Sequence, residues 1–192
     1  MSTETAIHPA PPRATVQVRF ADGAVLEGPL GTTLEQFIRA RGDDPFRCVA
    51  AIANNRLREL TYQPACDEYV EPLDITSSEG IRIYRRSLAL LLITAAYELY
   101  PNAEVHIDYS VPYGGYFCTV IGDPQFSGEE LAEIETHMRV IVGQNEPIRR
   151  VAVPSDEAKR IFEARNEYDK LQLVDKRGKD DFMMYQLRQR KD

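Results

Sequence analysis

The stretch from Ile81 to Ile121 constrains this chain more than any other. Over 81–100 the apolar residues Ile81, Leu88, Leu91, Leu92, Ala95, Ala96 and Leu99 recur at close to helical spacing, which predicts one long amphipathic helix. Tyr100-Pro101 ends it, because the residue before a proline disfavours helical dihedrals. Strands are expected over 105–110 and 116–121, joined around Tyr113-Gly114-Gly115. The longest apolar run, 88–96 with Thr94 inside it, reads as a buried part of the helix. It falls well short of the roughly 20 apolar residues of a membrane span.

Residues 14–76 read as a separate α+β unit. The segment 15–20 (TVQVRF) alternates polar and apolar with period two, as a half-buried strand does. Asp22-Gly23 is a hairpin turn pair, and 24–28 is the returning strand. Thr32 or Thr33 can cap a helix through Leu34, Phe37 and Ile38, which Gly42 stops. An apolar strand over 49–53, a turn at Asn54-Asn55, and strands near 58–60 and 69–75 complete the unit. Hairpin, helix, then further strands is the order of a β-grasp domain.

The remainder continues the α+β pattern. Ser127 and Glu130 form a capping box for a helix running to about Val142. A strand over 147–153 precedes a helix over 156–165, with Ser155 as its expected cap. A short helix over 168–174 and a last apolar strand over 182–187 follow. The charged run 188–192 reads as a solvated end or the start of a linker. Stopping there, after an apolar strand, it reads as a boundary inside a longer polypeptide.

Composition excludes some functions. With a net charge of −7, the chain is a poor generic nucleic-acid binder, because phosphate contacts need clustered Lys and Arg. Its three cysteines, Cys48, Cys66 and Cys118, show no C-x-x-C spacing, and each reads as a small buried residue in a reducing cytoplasm. The leader over 1–13 is rich in Pro and Ala and lacks the basic and apolar regions of a secretory signal.

No catalytic residue emerges. A zinc hydrolase needs about three protein ligands, and His8, His106 and His137 are neither at i, i+3 nor at i, i+4 spacing. There is no GxSxG elbow and no GxxxxGK(S/T) phosphate loop. Glu129-Glu130 and Asp180-Asp181 fall at helix or turn starts, where capping explains them. Three features are left as binding candidates, the third being the basic tail from Arg188 to Lys191, which otherwise reads as a solvated chain end. Arg82, Arg85 and Arg86 cluster at the start of the long helix and could meet phosphate or carboxylate, or simply solvate an exposed face. Tyr113 and Tyr116, with Tyr109, flank the Gly114-Gly115 turn and could stack on a base, or pack the hairpin.

The run IRIYRRSLALLLITAAYELYPNA followed by EVHIDYSVPYGGYFCTVIG resembles the start of the second additional domain of threonyl- and alanyl-tRNA synthetases. That domain edits mischarged tRNA. In it the helix carries an HSxxH pair of zinc ligands, then a YP-x-A end and a GFYY-like strand. Here Arg86-Ser87-Leu88-Ala89-Leu90 keeps the frame, with Arg86 and Leu90 at the ligand positions, and neither side chain can bind zinc. The family's second zinc pair falls near the end of this stretch, yet no Cys or His follows His137. The resemblance implies an editing scaffold with its metal, and its hydrolysis, removed. Residues 14–76, with ADG, GTTLEQFI and AIANNRLREL in order, resemble the TGS domain, the ubiquitin-like module of threonyl-tRNA synthetases.

Over 14–187, and most closely at 80–88 (GIRIYRRSL), the chain also resembles the N-terminal half of bacterial uridine kinase-like nucleoside kinases. That resemblance implies a TGS-like domain over 14–76 and a second-additional-type domain over 77–192. It further implies a P-loop kinase domain in the same polypeptide, with ATP and Mg confined to it, and a cytoplasmic protein. On this reading the chain is a non-catalytic accessory module acting in folding, homo-oligomer assembly or ligand sensing. The competing reading is a tRNA- or RNA-binding module that keeps the editing domain's contact without hydrolysis.

Overall fold

The computed structural model describes residues 11–44, 46–165 and 167–191. The leader expected over 1–13, with His8, lies outside them as far as residue 10. The fold is α+β, as the element order requires, and the chain divides into two compact units, Met1–Arg85 and Arg86–Asp192.

In the first unit β1 (Thr15–Phe20) and β2 (Val25–Pro29) form a hairpin. The alternation in β1 does what its period demands: Val16, Val18 and Phe20 are buried. Asp22 Oδ1 accepts from Ala24 N at 3.0 Å, and Gly23 supplies the positive φ that the turn needs. Helix α1 (Leu34–Arg41) starts at a capping box between Thr33 and Gln36 and stops at Gly42 in the left-handed region, which settles the cap on Thr33. Its buried face, Leu34, Phe37 and Ile38, completes a core with β1, Ala51, Ala53 and Val70. Burying each of the large side chains is worth about 1.5–3 kcal/mol.

Strands β3 (Cys48–Ala53), β4 (Arg56–Arg58) and β5 (Glu68–Asp74) complete a sheet in the order β2-β1-β5-β3-β4, with β1 and β5 parallel. This is the β-grasp arrangement. Strand β4 begins two residues earlier than expected because Asn54 and Asn55 both adopt positive φ, making a two-residue turn that feeds straight into pairing. Arg13, at the end of the expected leader, is held by an ion pair to Asp67, whose Oδ1 also accepts from Gln17 N at 2.9 Å.

Helix α2 (Ser78–Leu99) begins directly after β5, and the division between the units falls within it. Ser77 Oγ accepts from Gly80 N at 3.0 Å and donates to Asp74 O at 2.7 Å. The helix start therefore sits so close to the end of β5 that a Cβ on Gly80 would lie 2.0 Å from Asp74 O.

In the second unit β6 (Ala103–Ser110) and β7 (Tyr116–Gly122) form a two-stranded sheet joined through a 3-10 turn at Pro112–Gly114. Helix α3 (Gly128–Gly143) carries the expected capping box between Ser127 and Glu130. Strands β8 (Arg149–Pro154), β9 (Asp181–Leu187) and β10 (Arg190–Lys191) make the second sheet in the order β10-β9-β8, with α4 (Ser155–Ala164) and α5 (Tyr168–Arg177) between β8 and β9 in the chain. One core joins Leu90, Leu91, Ala95 and Ala96 of α2 to Val105, Ile134, Ile141 and Leu187. A second gathers Val153, Ala158, Phe162, Val174 and Met184.

Several expectations need correcting. Ser155 is not a cap. It is the first residue of α4, and its N–H is satisfied by Asp180 O at 2.8 Å instead. Helix α5 runs past 174 to Arg177 because its stop signal is Gly178, in the left-handed region. Cys66 is exposed, while Cys48 and Cys118 are half-buried, with their thiol pKa values pushed up chiefly by burial. The run after 187 is no solvated end: Arg188-Gln189 is a tight loop, and Arg190 pairs back on Leu187. Among the described residues no helix is long and apolar enough to cross a membrane.

Candidate functional site

Helix α2 sets the geometry of the residues singled out in the sequence. Arg82 and Arg86 are exposed and Arg85 is half-buried. Leu90, one turn beyond Arg86, is 7% exposed and belongs to the same core as Leu187. Of the two positions that the resemblance matches to zinc ligands, one is thus an exposed guanidinium and the other is occupied by core packing. Among the described residues no group of three or more His, Cys, Asp and Glu side chains is placed to hold a metal ion.

The aromatic candidates lie on the β6–β7 hairpin. Tyr113 falls in the 3-10 turn, its side chain outside what the structure describes. Tyr116 is exposed. Tyr109 and Phe117 are cross-strand partners, with rings stacked at 5.1 Å and 11° and both exposed. The structure therefore brings Tyr109 together with Phe117, an aromatic for which the sequence reading proposed no role.

Beyond Leu90 the same helix opens onto a cleft of about 330 Å³, lined by Thr94, Tyr97, Glu98, Glu146, Arg188, Gln189 and Arg190. Thr94 is sealed, its hydroxyl donating to Leu90 O at 2.7 Å. At the next turn Glu98 Oε2 meets His137 Nε2 at 2.7 Å and accepts from Arg188 Nη1 at 2.6 Å. Arg188 also donates from Nε to Glu146 Oε1 at 3.0 Å and from Nη2 to Gln144 Oε1. The carboxylates, Glu98 foremost and then Glu146, hold the guanidinium pKa above its ordinary value. Arg188 does this from a left-handed backbone, φ 54°, which a residue with a Cβ adopts only when its surroundings enforce it.

Deeper in the wall, Arg190 is 5% exposed. Its guanidinium carbon sits 5.4 Å from the Tyr97 ring centroid, and its Nη2 is 3.6 Å from Glu167 and 4.0 Å from Glu104. Arg190 Nε, Glu104 Oε1 and Glu167 Oε2 are buried without a hydrogen bond.

The sequence reading named the basic tail from Arg188 to Lys191 as a binding candidate but did not join it to Thr94, Tyr97, Glu98 or Glu146. The usable signal for the cleft was the Arg-Gln-Arg run at 188–190 directly after an apolar strand, a pattern that also fits a two-residue hairpin loop.

No family model matches the sequence. The chain is similar to threonine–tRNA ligases: 34% identical over 148 residues to that of Thermobifida fusca, covering 77% of this chain and 22% of the relative. It is 32% identical over 175 residues to that of Mycolicibacterium smegmatis, covering 88% and 25%. To that of Streptococcus mutans it is 30% identical over 166 residues, covering 86% and 25%. The chain thus spans about a quarter of the length of the ligases it matches, and the similarity is to their N-terminal regions.

Proposed function

Starting from that similarity, we propose that the chain is a synthetase-derived module that binds tRNA without hydrolysing an ester on it. One observation carries the reading. The chain resembles threonine–tRNA ligases over most of its length, while its RSLAL run matches the HSxxH motif of an editing domain with Arg86 and the buried Leu90 in place of the histidines. An overall charge of −7 restricts phosphate contact to a local face. Exposed Arg82 and Arg86 on α2 offer donors that suit phosphate oxygens. The exposed Tyr109–Phe117 stack and Tyr116 offer a surface for unpaired bases.

The test is a titration of the chain with unmodified tRNA at a series of salt concentrations. Binding that weakens steeply as salt rises, and that drops further in Arg82→Glu and Arg86→Glu variants, supports the reading. Absent or salt-insensitive binding overturns it, as does release of the amino acid from mischarged tRNA faster than in the protein-free control.

The accessory-module reading rests on the resemblance over 14–187, strongest at 80–88, and assigns ATP and Mg to a kinase domain that these residues do not include. The relatives reported above are ligases and lend it no support.

A further inference from the structure

We propose that the outward ridge of α3 is a contact surface for a second copy of this chain, the two helices pairing antiparallel about a two-fold axis. The contact needs no tRNA and uses none of the residues offered above for tRNA.

Successive residues of a helix turn by about 100°, which divides α3 into faces. Ile134 and Ile141 are buried in the core that α3 shares with α2, and Met138 is packed at its margin. Leu131, Glu135, Met138 and Val142 follow one another at spacings of four, three and four, the ridge of a helix that lies along a partner helix. Met138 joins this ridge to the core, whereas Leu131 and Val142, one towards each end, are 54% and 63% exposed. Single exposed aliphatic residues are ordinary on a surface. These two are selected by their alignment and by the charges between them. Glu135 and Arg139 are ion-paired at 2.6 Å with most of both side chains in water, a pair worth little alone.

A two-fold axis crossing α3 between Thr136 and His137 matches this pattern to itself. Leu131 then faces the partner's Val142, and Val142 the partner's Leu131. Glu135 comes within about one residue of the partner's Arg139, roughly 1.5 Å along the axis. The four charges at the axis alternate in sign. A parallel pairing would set Glu135 on Glu135 and Arg139 on Arg139, and like charges face to face oppose it. One surface thus carries both halves of the match, as an isologous dimer interface must.

The sixteen residues of α3 span about 24 Å. A single ridge of that length buries less than the roughly 1,200 Å² at which stable interfaces begin. The dimer is therefore weak and exchanging, with a dissociation constant on the order of 10 μM to 1 mM.

The experiment is analytical ultracentrifugation of the full chain, without RNA, over a series of concentrations bracketing that range. A reversible monomer–dimer equilibrium is expected. Leu131→Glu and Val142→Glu should each raise the dissociation constant about tenfold or more. Arg139→Glu should do the same by gathering four acids at the axis. Adding Glu135→Arg to it should restore dimerisation, because the swapped pair is again self-complementary. All four side chains are exposed, so the fold should persist, and far-UV circular dichroism checks that it does. A chain that stays monomeric throughout overturns the proposal. So does a dimer that Leu131→Glu and Val142→Glu leave intact, or a charge swap that fails to restore what Arg139→Glu removes. A failed tRNA titration leaves this result untouched, and the converse holds too.

Discussion

Arg188 donates to Glu98 at 2.6 Å across ninety positions of sequence, tying the last hairpin to the final turns of α2. His137 of α3 meets the same carboxylate oxygen at 2.7 Å, so one side chain gathers three elements of the second unit. Replacing Arg188 by Met should lower the melting temperature by a few degrees, a shift usual for losing one tertiary contact in a domain of this size. In the Glu98→Gln background the same replacement should cost clearly less. A double-mutant cycle by thermal denaturation checks this, and strict additivity would show that the contact carries no energy.

Gly80 has no room for a side chain against Asp74 O. Gly80→Ala should destabilise the chain by about 1–3 kcal/mol, the usual cost of overpacking. Urea denaturation should report it as a lower midpoint with an unchanged slope. A neutral result would mean that the start of α2 yields easily.

Leu90, which the resemblance sets at a metal-ligand position, is packed as core. Leu90→Ala should cost about 2–5 kcal/mol, and Leu90→Met should recover most of that. Chemical denaturation of the two variants distinguishes packing from a polar role. Equal loss in both would argue against simple packing.

Asp74 is held below its ordinary pKa, first by the hydrogen bond from Thr76 N and then by Thr76's side chain and Arg47. Its folded-state pKa lies below the unfolded value near 3.8, so its stabilisation is present above that value and is lost as pH falls through the folded one. Asp74→Ala should therefore be less stable than the unaltered chain at pH 7, with the gap shrinking as pH falls from about 3.8 towards 2. Melting temperatures across that range check the convergence. A gap that does not shrink would assign the effect to packing rather than charge.

Local chemistry made the first unit readable. Thr33, Gly42 and the Asn54-Asn55 pair act through their own backbones, so each marks an element end from sequence alone. The cleft residues carry no such mark. Glu98, Glu146 and Arg188 are unremarkable on a helix, in a loop and at a turn, and only the fold brings them together. Arg190 was misread for the same reason, since a charged run near a chain end looks solvated until strand pairing buries it. The cap at Ser155 failed differently. Sequence cannot tell an N-cap from a first helical residue when a distant carbonyl, here Asp180 O, takes up the N–H.

The parallel pairing of β1 with β5 also sets an order of events during synthesis. The first strand of this unit lies inside its sheet, yet one of its two neighbours is the last strand of that unit. Until Glu68–Asp74 has left the ribosome, β1 has only its hairpin partner, and its other edge is bare. Such distant closure is slow compared with forming a hairpin or a helix. The nascent chain must therefore carry an open, apolar strand edge through some fifty residues of translation, which makes this interval the one in which a chaperone or a neighbouring chain could capture it.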